Sequence, residues 1–477
     1  MIIGRIEEIN KLKNLHSSNK AEFIAVYGRR RVGKTFLINE TFGDSFTFKH
    51  AGLSPNGIDA NGLMKKQLHH FYDSLILHGM KKCAKPKDWF EAFLLLELFL
   101  QEKDNGTRQL VFLDELPWMD TPRSGFISAL EAFWNSWACS RKNLMLIVCG
   151  SANSWIQDKL INNHGGLYNR LTYQIKLSPF TLKECKDYYL ERKVAISNYD
   201  IVQSYMVFGG IPYYMDSIEP GDSLPQAIDR VLFSRNALFA LEFDRLFDSL
   251  FSNSETVKKI IRFLAKKNAG YTRAELIKGL SIKDGGTFSK TINALITSDF
   301  IIKYVPFGFS KKEEHYKLID PFCLFYLHFV EGRKADNETY WLDHLDSQEV
   351  VVWRGFAFEN VCFNHVNEIK KALGISGVST NVSAWSKKPD DEKGIQIDLL
   401  LERKDNIINM CELKFYKDEF VVNKDYYRTI LRRQDMILEK VSPRVAVHST
   451  LITTFGLKRN EYSNAFNNVI TLDDLFS

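Results

Sequence analysis

Residues 21–42 read AEFIAVYGRRRVGKTFLINETF. The first seven are mostly apolar, as a buried strand requires, and the last seven suit a helix. Between them stands Gly28-Arg-Arg-Arg-Val-Gly33-Lys34-Thr35. This is the G-x-x-x-x-G-K-[ST] pattern in the strand–loop–helix setting that gives it physical meaning. Gly28 and Gly33 let backbone N–H groups turn toward phosphate oxygens, and the following helix adds the positive end of its dipole. Lys34 is placed to neutralise β- and γ-phosphates, and the Thr35 hydroxyl to ligate Mg2+. The implied ligands are ATP and Mg2+. The alternative, a chance Gly-Lys-Thr turn, leaves the flanking strand and helix unexplained.

Such a loop needs a second strand that ends in an acid. Residues 110–115, LVFLDE, supply it. Asp114 is expected on the Mg2+ shell, and Glu115 is placed to polarise the attacking water. A third apolar run, LMLIVCGS at 144–151, ends at Ser151, with Asn153 two residues on. Either side chain is placed to sense a γ-phosphate; capping the strand end is the plainer role. Residues 54–103 form an excursion rich in leucine and aromatic residues. They are expected as helices on the core, with no assigned chemistry.

With GR-x-E-E-I at 4–9, CGS at 149–151 and FGGIP at 208–212, this region resembles the archaeal-type ATPases of the AAA+/STAND branch. The resemblance covers at least residues 1–235. It implies an α/β P-loop AAA+-type core over 1–180 and a helical lid over 181–248. In that family the element formed here by Gly209, Gly210 and Pro212 lies in the lid near the nucleotide; a helix stop and turn is the bland reading. No separate lid arginine is evident. In AAA+ ATPases an arginine before the last core strand reaches a neighbour's γ-phosphate. Arg170, in HGGLYNRLTYQIKLSPF at 164–180, is therefore the finger candidate, and it argues for a homo-oligomer only if it acts in trans. Pairing to a local carboxylate is its alternative role, and Arg29, Arg30 and Arg31 are weaker candidates.

Residues 249–320 read as a winged helix-turn-helix. Val257, Ile260, Ile261 and Leu264 fall at helical spacing. Thr272-x-x-Glu275 is a capping box that opens a second helix. Phe288, Ile292 and Leu295 lie along a third, and 300–320 reads as two strands around a turn near Phe307-Gly308. Lys290, Thr291 and Asn293 are expected on the outward face of the third helix, with Lys311 and Lys312 on the wing, suited to DNA. Residues 251–312 hold twelve basic and four acidic side chains. Their surplus of eight exceeds that of the whole chain, so DNA is the expected partner. The alternative is a winged helix used for protein packing, with a solvated lysine face.

Residues 345–477 are expected to form an α/β domain that resembles the PD-(D/E)xK nucleases. Asp398 lies in IQIDLLLE, and Glu412-x-Lys414 follows fourteen residues later in INMCELKFY. Residues i and i+2 of a strand share a face, so Glu412 and Lys414 point one way. Asp398 and Glu412 can hold Mg2+ while Lys414 positions the water or stabilises the transition state. Glu359, in a preceding helix, is a further metal ligand that the resemblance implies. Arg428, Arg432, Arg433 and Gln434 lie on a helix suited to gripping phosphate. The proline that often precedes the aspartate is absent; Gln396-Ile397 stands there. Two amphipathic strands with outward charges would produce the same spacing.

The bulk composition fits several packed domains. The chain has 477 residues, 45% hydrophobic and 25% charged, with net charge +5. No apolar run approaches the roughly 18 residues of a membrane helix. The seven cysteines are scattered without C-x-x-C spacing, which argues against zinc and disulfides and for a reducing cytoplasm. The leading reading is an ATPase (a hydrolase) that couples nucleotide state to DNA binding and Mg2+-dependent DNA cleavage. The alternatives are a STAND-like regulatory switch with an inert C-terminal domain, and a DNA-binding transcription regulator.

Overall fold

The computed structural model describes residues 2–55, 60–151, 153–162, 165–251, 253–310, 313–333, 337–387 and 395–477. Lys311 and Lys312, expected on the wing, lie outside them. The chain divides into two compact units, Met1–Ser178 and Pro179–Ser477. None of the described helices is long and apolar enough to cross a membrane. All seven cysteines are free thiols.

The first unit is built on a five-stranded parallel sheet. Its strands are β1 (Glu22–Tyr27), β2 (Phe48–Ala51), β3 (Gln109–Asp114), β4 (Leu144–Gly150) and β5 (Tyr173–Lys176). Their spatial order is β2-β3-β4-β1-β5. Every residue of β1, β3 and β4 is buried. That explains why these strands read as unbroken apolar runs: a parallel sheet is covered on both faces. The excursion at 54–103 folds as helices Ala60–Leu77 and Trp89–Glu102. Phe71, Trp89, Phe93 and Phe99 join the core with Phe126 and Phe133. Because the strands run parallel, the C-terminal ends of β1, β3 and β4 reach one edge. There β1 delivers Gly28, β3 delivers Asp114 and Glu115, and β4 delivers Ser151.

The second unit opens with helices Leu182–Glu191 and Asn198–Phe208. Gly209 and Gly210 end the latter with φ 65° each. A Cβ on Gly210 would stand 2.4 Å from the Phe180 carbonyl oxygen, and Phe180 N–H donates to Gly210 O at 2.8 Å. The glycine pair is thus a helix stop with close backbone approach.

Helices Ser254–Leu264, Arg273–Leu280 and Gly286–Thr297 follow, with strands β6 (Tyr271–Thr272), β7 (Ile301–Tyr304) and β8 (His315–Leu318). These strands form an antiparallel sheet, β6-β8-β7. The capping box is present: Thr272 Oγ1 accepts from Glu275 N–H and Glu275 returns the bond to Thr272 N–H, worth about 1 kcal/mol. One residue departs from its expected place. Thr291 is buried; its hydroxyl donates to Thr287 O and accepts from Asn253. Lys290 and Asn293 are exposed as expected.

The C-terminal sheet has strands β9 (Thr380–Lys387), β10 (Ile395–Arg403), β11 (Ile407–Lys414), β12 (Ala446–Thr453) and β13 (Asn468–Thr471), in the order β13-β12-β11-β10-β9. β9, β10 and β11 pair antiparallel; β11, β12 and β13 pair parallel. Helix Lys424–Leu438 buries Ile430 and Ile437 among Ile397, Leu400, Met410 and Leu451. Helix Gln348–Asn364 ends at His365, which is fully buried. His365 Nδ1–H donates to Val361 O at 2.8 Å, and Nε2 accepts from Leu182 N–H at 3.0 Å.

Burial pushes the His365 imidazole down from 6.5 to about 4. The fold therefore requires the neutral ring, whereas the unfolded chain takes up a proton from about pH 6.5 downward. This contribution, on the order of 3 kcal/mol, is present in full above pH 6.5 and is lost as the pH falls toward 4. Urea unfolding of the wild type and His365→Phe will show a stability gap that narrows from pH 7 to pH 4. A gap independent of pH contradicts the assignment.

Candidate functional site

At the edge where β1, β3 and β4 end, the loop 28–33 carries Gly28 at φ 152° and Gly33 at φ 89°. A Cβ on Gly28 would stand 2.2 Å from the Leu177 carbonyl oxygen. Gly28 N–H donates to Asn153 Oδ1 at 2.8 Å, and Asn153 is fully buried. Asn153 thus supports the loop rather than facing outward as a sensor. Arg5 plays a similar part that its sequence position did not disclose. It is buried, and its guanidinium donates to Ser178 O at 2.6 Å.

Lys34 opens helix Lys34–Phe42 and is only 5% exposed. Its ammonium donates to Gly28 O (3.0 Å), Arg29 O (2.9 Å) and Ser151 Oγ (3.1 Å). Burial pulls its pKa below the ordinary lysine value, opposed by Cys149, Glu115 and Asp114. Thr35 Oγ1 donates to Asp114 Oδ2 at 2.7 Å. The two oxygens that would share a cation are therefore already adjacent. Glu115 takes the left-handed conformation, φ 45° and ψ 46°, which a non-glycine residue rarely adopts outside a constrained site. Its carboxylate accepts from Ser151 Oγ at 3.0 Å. Lys34, Ser151 and Glu115 thus form one chain of hydrogen bonds beside the Thr35–Asp114 pair. Arg170 is exposed in the loop before β5.

A second cluster lies in the C-terminal sheet. Glu412 is fully buried on β11. Its Oε2 accepts from Tyr426 Oη at 2.7 Å, its Oε1 is paired with Arg433, and Lys414 Nζ lies 3.9 Å from Oε2. Asp398 Oδ2 accepts from Leu413 N–H at 3.4 Å. The β9–β10 register shifts by one between Ile397 and Leu400, so a bulge brackets Asp398, a device that re-aims side chains next to sites. Burial, reinforced by Glu412, raises the Asp398 carboxyl. Burial with Asp398 nearby pushes Glu359 up to about 7. Glu359 Oε2 accepts from Asn268 Nδ2; nearby Lys317 is buried, which pulls its pKa down against Glu359 and Asp398.

The expectation that Glu359, Asp398 and Glu412 jointly ligate a metal is not met in this arrangement. Among the described residues, no group of three or more His, Cys, Asp or Glu side chains is placed to hold one ion. The reason is that Arg433 and Tyr426 hold Glu412, and Asn268 holds Glu359. Arg433 and Gln434, expected to grip phosphate, are engaged within the domain: Arg433 with Glu412, and Gln434 donating to Ser449 Oγ at 2.7 Å. Lys317, Asn268 and Tyr426 went unnoticed in the sequence, because nothing in YKLID or KKNAG marks a site.

Residues 3–218 match a family model described as an ATPase domain predominantly from Archaea. That span holds Lys34, Thr35, Asp114, Glu115 and Ser151. Over 450 residues the chain is 26% identical to an uncharacterized protein of Methanocaldococcus jannaschii, covering 92% of each. Among solved structures it is similar to the Walker-type ATPase of Pyrococcus abyssi, at 19% identity over 68% of this chain and 96% of that one, with a TM-score of 0.46. It is also similar to a Signal Transduction ATPase with Numerous Domains from Pyrococcus horikoshii. There the identity is 15%, the coverage 79% and 52%, and the TM-score 0.29.

Lys34→Ala will abolish ATP turnover measured by phosphate release, because its ammonium is the group held against the loop carbonyls and Ser151. Glu115→Gln will retain ATP binding while slowing hydrolysis by about 10²–10⁴. Turnover at the wild-type rate in either variant contradicts the roles assigned.

Proposed function

We propose that this protein is a nucleotide-controlled DNA-acting switch: ATP bound and hydrolysed at the P-loop sets how the rest of the chain engages DNA. The observation that carries the reading is the hydrogen-bond chain Lys34–Ser151–Glu115 beside the Thr35–Asp114 pair. It links the phosphate-binding lysine to the residue assigned to the attacking water. Thr35 and Asp114 would hold Mg2+, which supplies charge neutralisation at the phosphates. Lys34 would exchange its loop carbonyls for phosphate oxygens, and Glu115 would exchange Ser151 for the water. Ser151 would report which exchange has happened. Arg170, exposed before β5, would complete a neighbour's site in a homo-oligomer.

Three helices and an antiparallel three-stranded sheet support reading 249–320 as a winged helix. Much of its positive surplus is internally paired. Lys258 meets Asp244, Asp248 and Glu255; Arg262 meets Glu331; Arg273 meets Asp284. Lys259, Lys266, Lys278, Lys283 and Lys290 are exposed and are the ones assigned to DNA phosphates.

For the C-terminal domain, Asp398, Glu412 and Lys414 on neighbouring strands favour a PD-(D/E)xK-like nuclease. The Arg433–Glu412 pair favours the second reading, a STAND-like switch whose C-terminal domain is inert. Incubation with plasmid, linear and single-stranded DNA, with and without ATP and Mg2+, separates them. Cleavage that Asp398→Ala and Lys414→Ala each abolish supports the nuclease; intact DNA in every condition supports the switch.

Replacing Lys278, Lys283 and Lys290 by alanine will lower the slope of log affinity against log salt by about 2–3, with basal ATP turnover unchanged. An unchanged slope removes DNA contact from this face.

A further inference from the structure

Buried charges in folded chains are paired, and an unpaired one calls for an explanation. Arg354, on helix Gln348–Asn364, is such a charge. It is 6% exposed, and its guanidinium makes one hydrogen bond among the described residues, from Nη1 to Leu345 O at 3.1 Å. Its Nε is buried without a partner. Two acids nearby are engaged elsewhere. Asp346 is paired with Lys417, and Asp200 accepts from Ser197 Oγ at 2.8 Å and from Gln203 Nε2 at 2.9 Å. Burial pulls the Arg354 pKa below the ordinary arginine value, with Tyr199, Asp346 and Asp200 opposing.

The guanidinium lines a cavity of about 230 Å³ in the second unit. Helix Asn198–Phe208, helix Gln348–Asn364 and the segment that carries Trp341 contribute to its lining, and Lys417 stands just past β11. Apolar side chains form much of the wall: Met206, Pro225, Leu345 and the buried indoles of Trp341 and Trp353. Tyr199 completes it. The Tyr199 ring stacks on Phe415 at 4.9 Å and on Phe455 at 5.7 Å, while its hydroxyl makes no hydrogen bond to the described residues. Lys417 and Asp346 are more than half exposed, so that ion pair lies toward solvent whereas Arg354 lies deep.

These features select a ligand. The planar fork of a guanidinium matches a carboxylate or a phosphate. Around this cavity Arg354 and Lys417 are offset by Asp200 and Asp346, so one negative charge is admitted more readily than two. Pockets for drug-sized molecules begin at about 300 Å³, so the ligand is smaller than those. We propose that the cavity binds a small organic monocarboxylate, its carboxylate on Arg354 and the Tyr199 hydroxyl and its apolar body against Trp341 and Trp353. The site shares no residue with the P-loop or the Glu412 cluster, and it requires neither ATP hydrolysis nor DNA. Its occupant would bridge helices Asn198–Phe208 and Gln348–Asn364.

The test is isothermal titration calorimetry of the full, nucleotide-free chain with benzoate and with hexanoate at constant ionic strength. At least one of the two should bind at a single site. Arg354→Gln should weaken that binding at least tenfold, and Tyr199→Phe about two- to tenfold. Failure of both probes to bind, an affinity indifferent to Arg354→Gln, or displacement of the carboxylate by an equal concentration of inorganic phosphate overturns the proposal. Melting without any probe gives a second readout. An unpaired buried guanidinium costs stability, so Arg354→Gln should melt within about 2 °C of wild type or above it. A variant that melts several degrees lower, or does not fold, makes Arg354 a structural group and equally overturns the site.

Discussion

A lysine ammonium removed from water must be compensated, and the structure around Lys34 follows from that demand. Its three hydrogen-bond partners are neutral: the carbonyls of Gly28 and Arg29 and the hydroxyl of Ser151. Neutral acceptors satisfy the N–H groups, while Glu115 and Asp114 favour the charged form without hydrogen-bonding to it in this arrangement, so the ammonium is held at the sheet edge. A polyphosphate is the natural complement. Everything nearby serves that placement. Gly28 lets the loop pass Leu177, Asn153 holds the loop from below, and the Thr35–Asp114 pair waits beside the charge.

Two further lysines in the second unit are as deeply buried and are answered differently. Lys258 meets three carboxylates, Asp244, Asp248 and Glu255, which raise its pKa. That arrangement is complete and structural. Burial pulls the Lys317 pKa down, opposed by Glu359 and Asp398. Lys258 thus meets carboxylates, whereas Lys34 donates to neutral acceptors.

What could be read in advance follows physical range. The loop at 28–35, the acids at 114–115 and the polar tip at 151 were legible because each lies at a strand end whose apolar run is unmistakable. The Thr272–Glu275 capping box was legible because it is local. Thr291 was misjudged because the outward face of a helix was inferred without knowing that Asn253 would reach it. The bulge at Asp398 and the pairing of Arg433 with Glu412 depend on register and on helix packing across the sheet. Spacing alone carries neither. Asn268 was invisible because its partner, Glu359, lies in a different module.

The claim that nucleotide chemistry and DNA engagement are coupled in this chain is tested most directly by one rate. Steady-state phosphate release should be measured at saturating ATP, with and without saturating duplex DNA. If the two are coupled, DNA changes the wild-type rate at least several-fold, with no release from Lys34→Ala in either condition. A rate identical with and without DNA, across duplex and single-stranded forms, would contradict it.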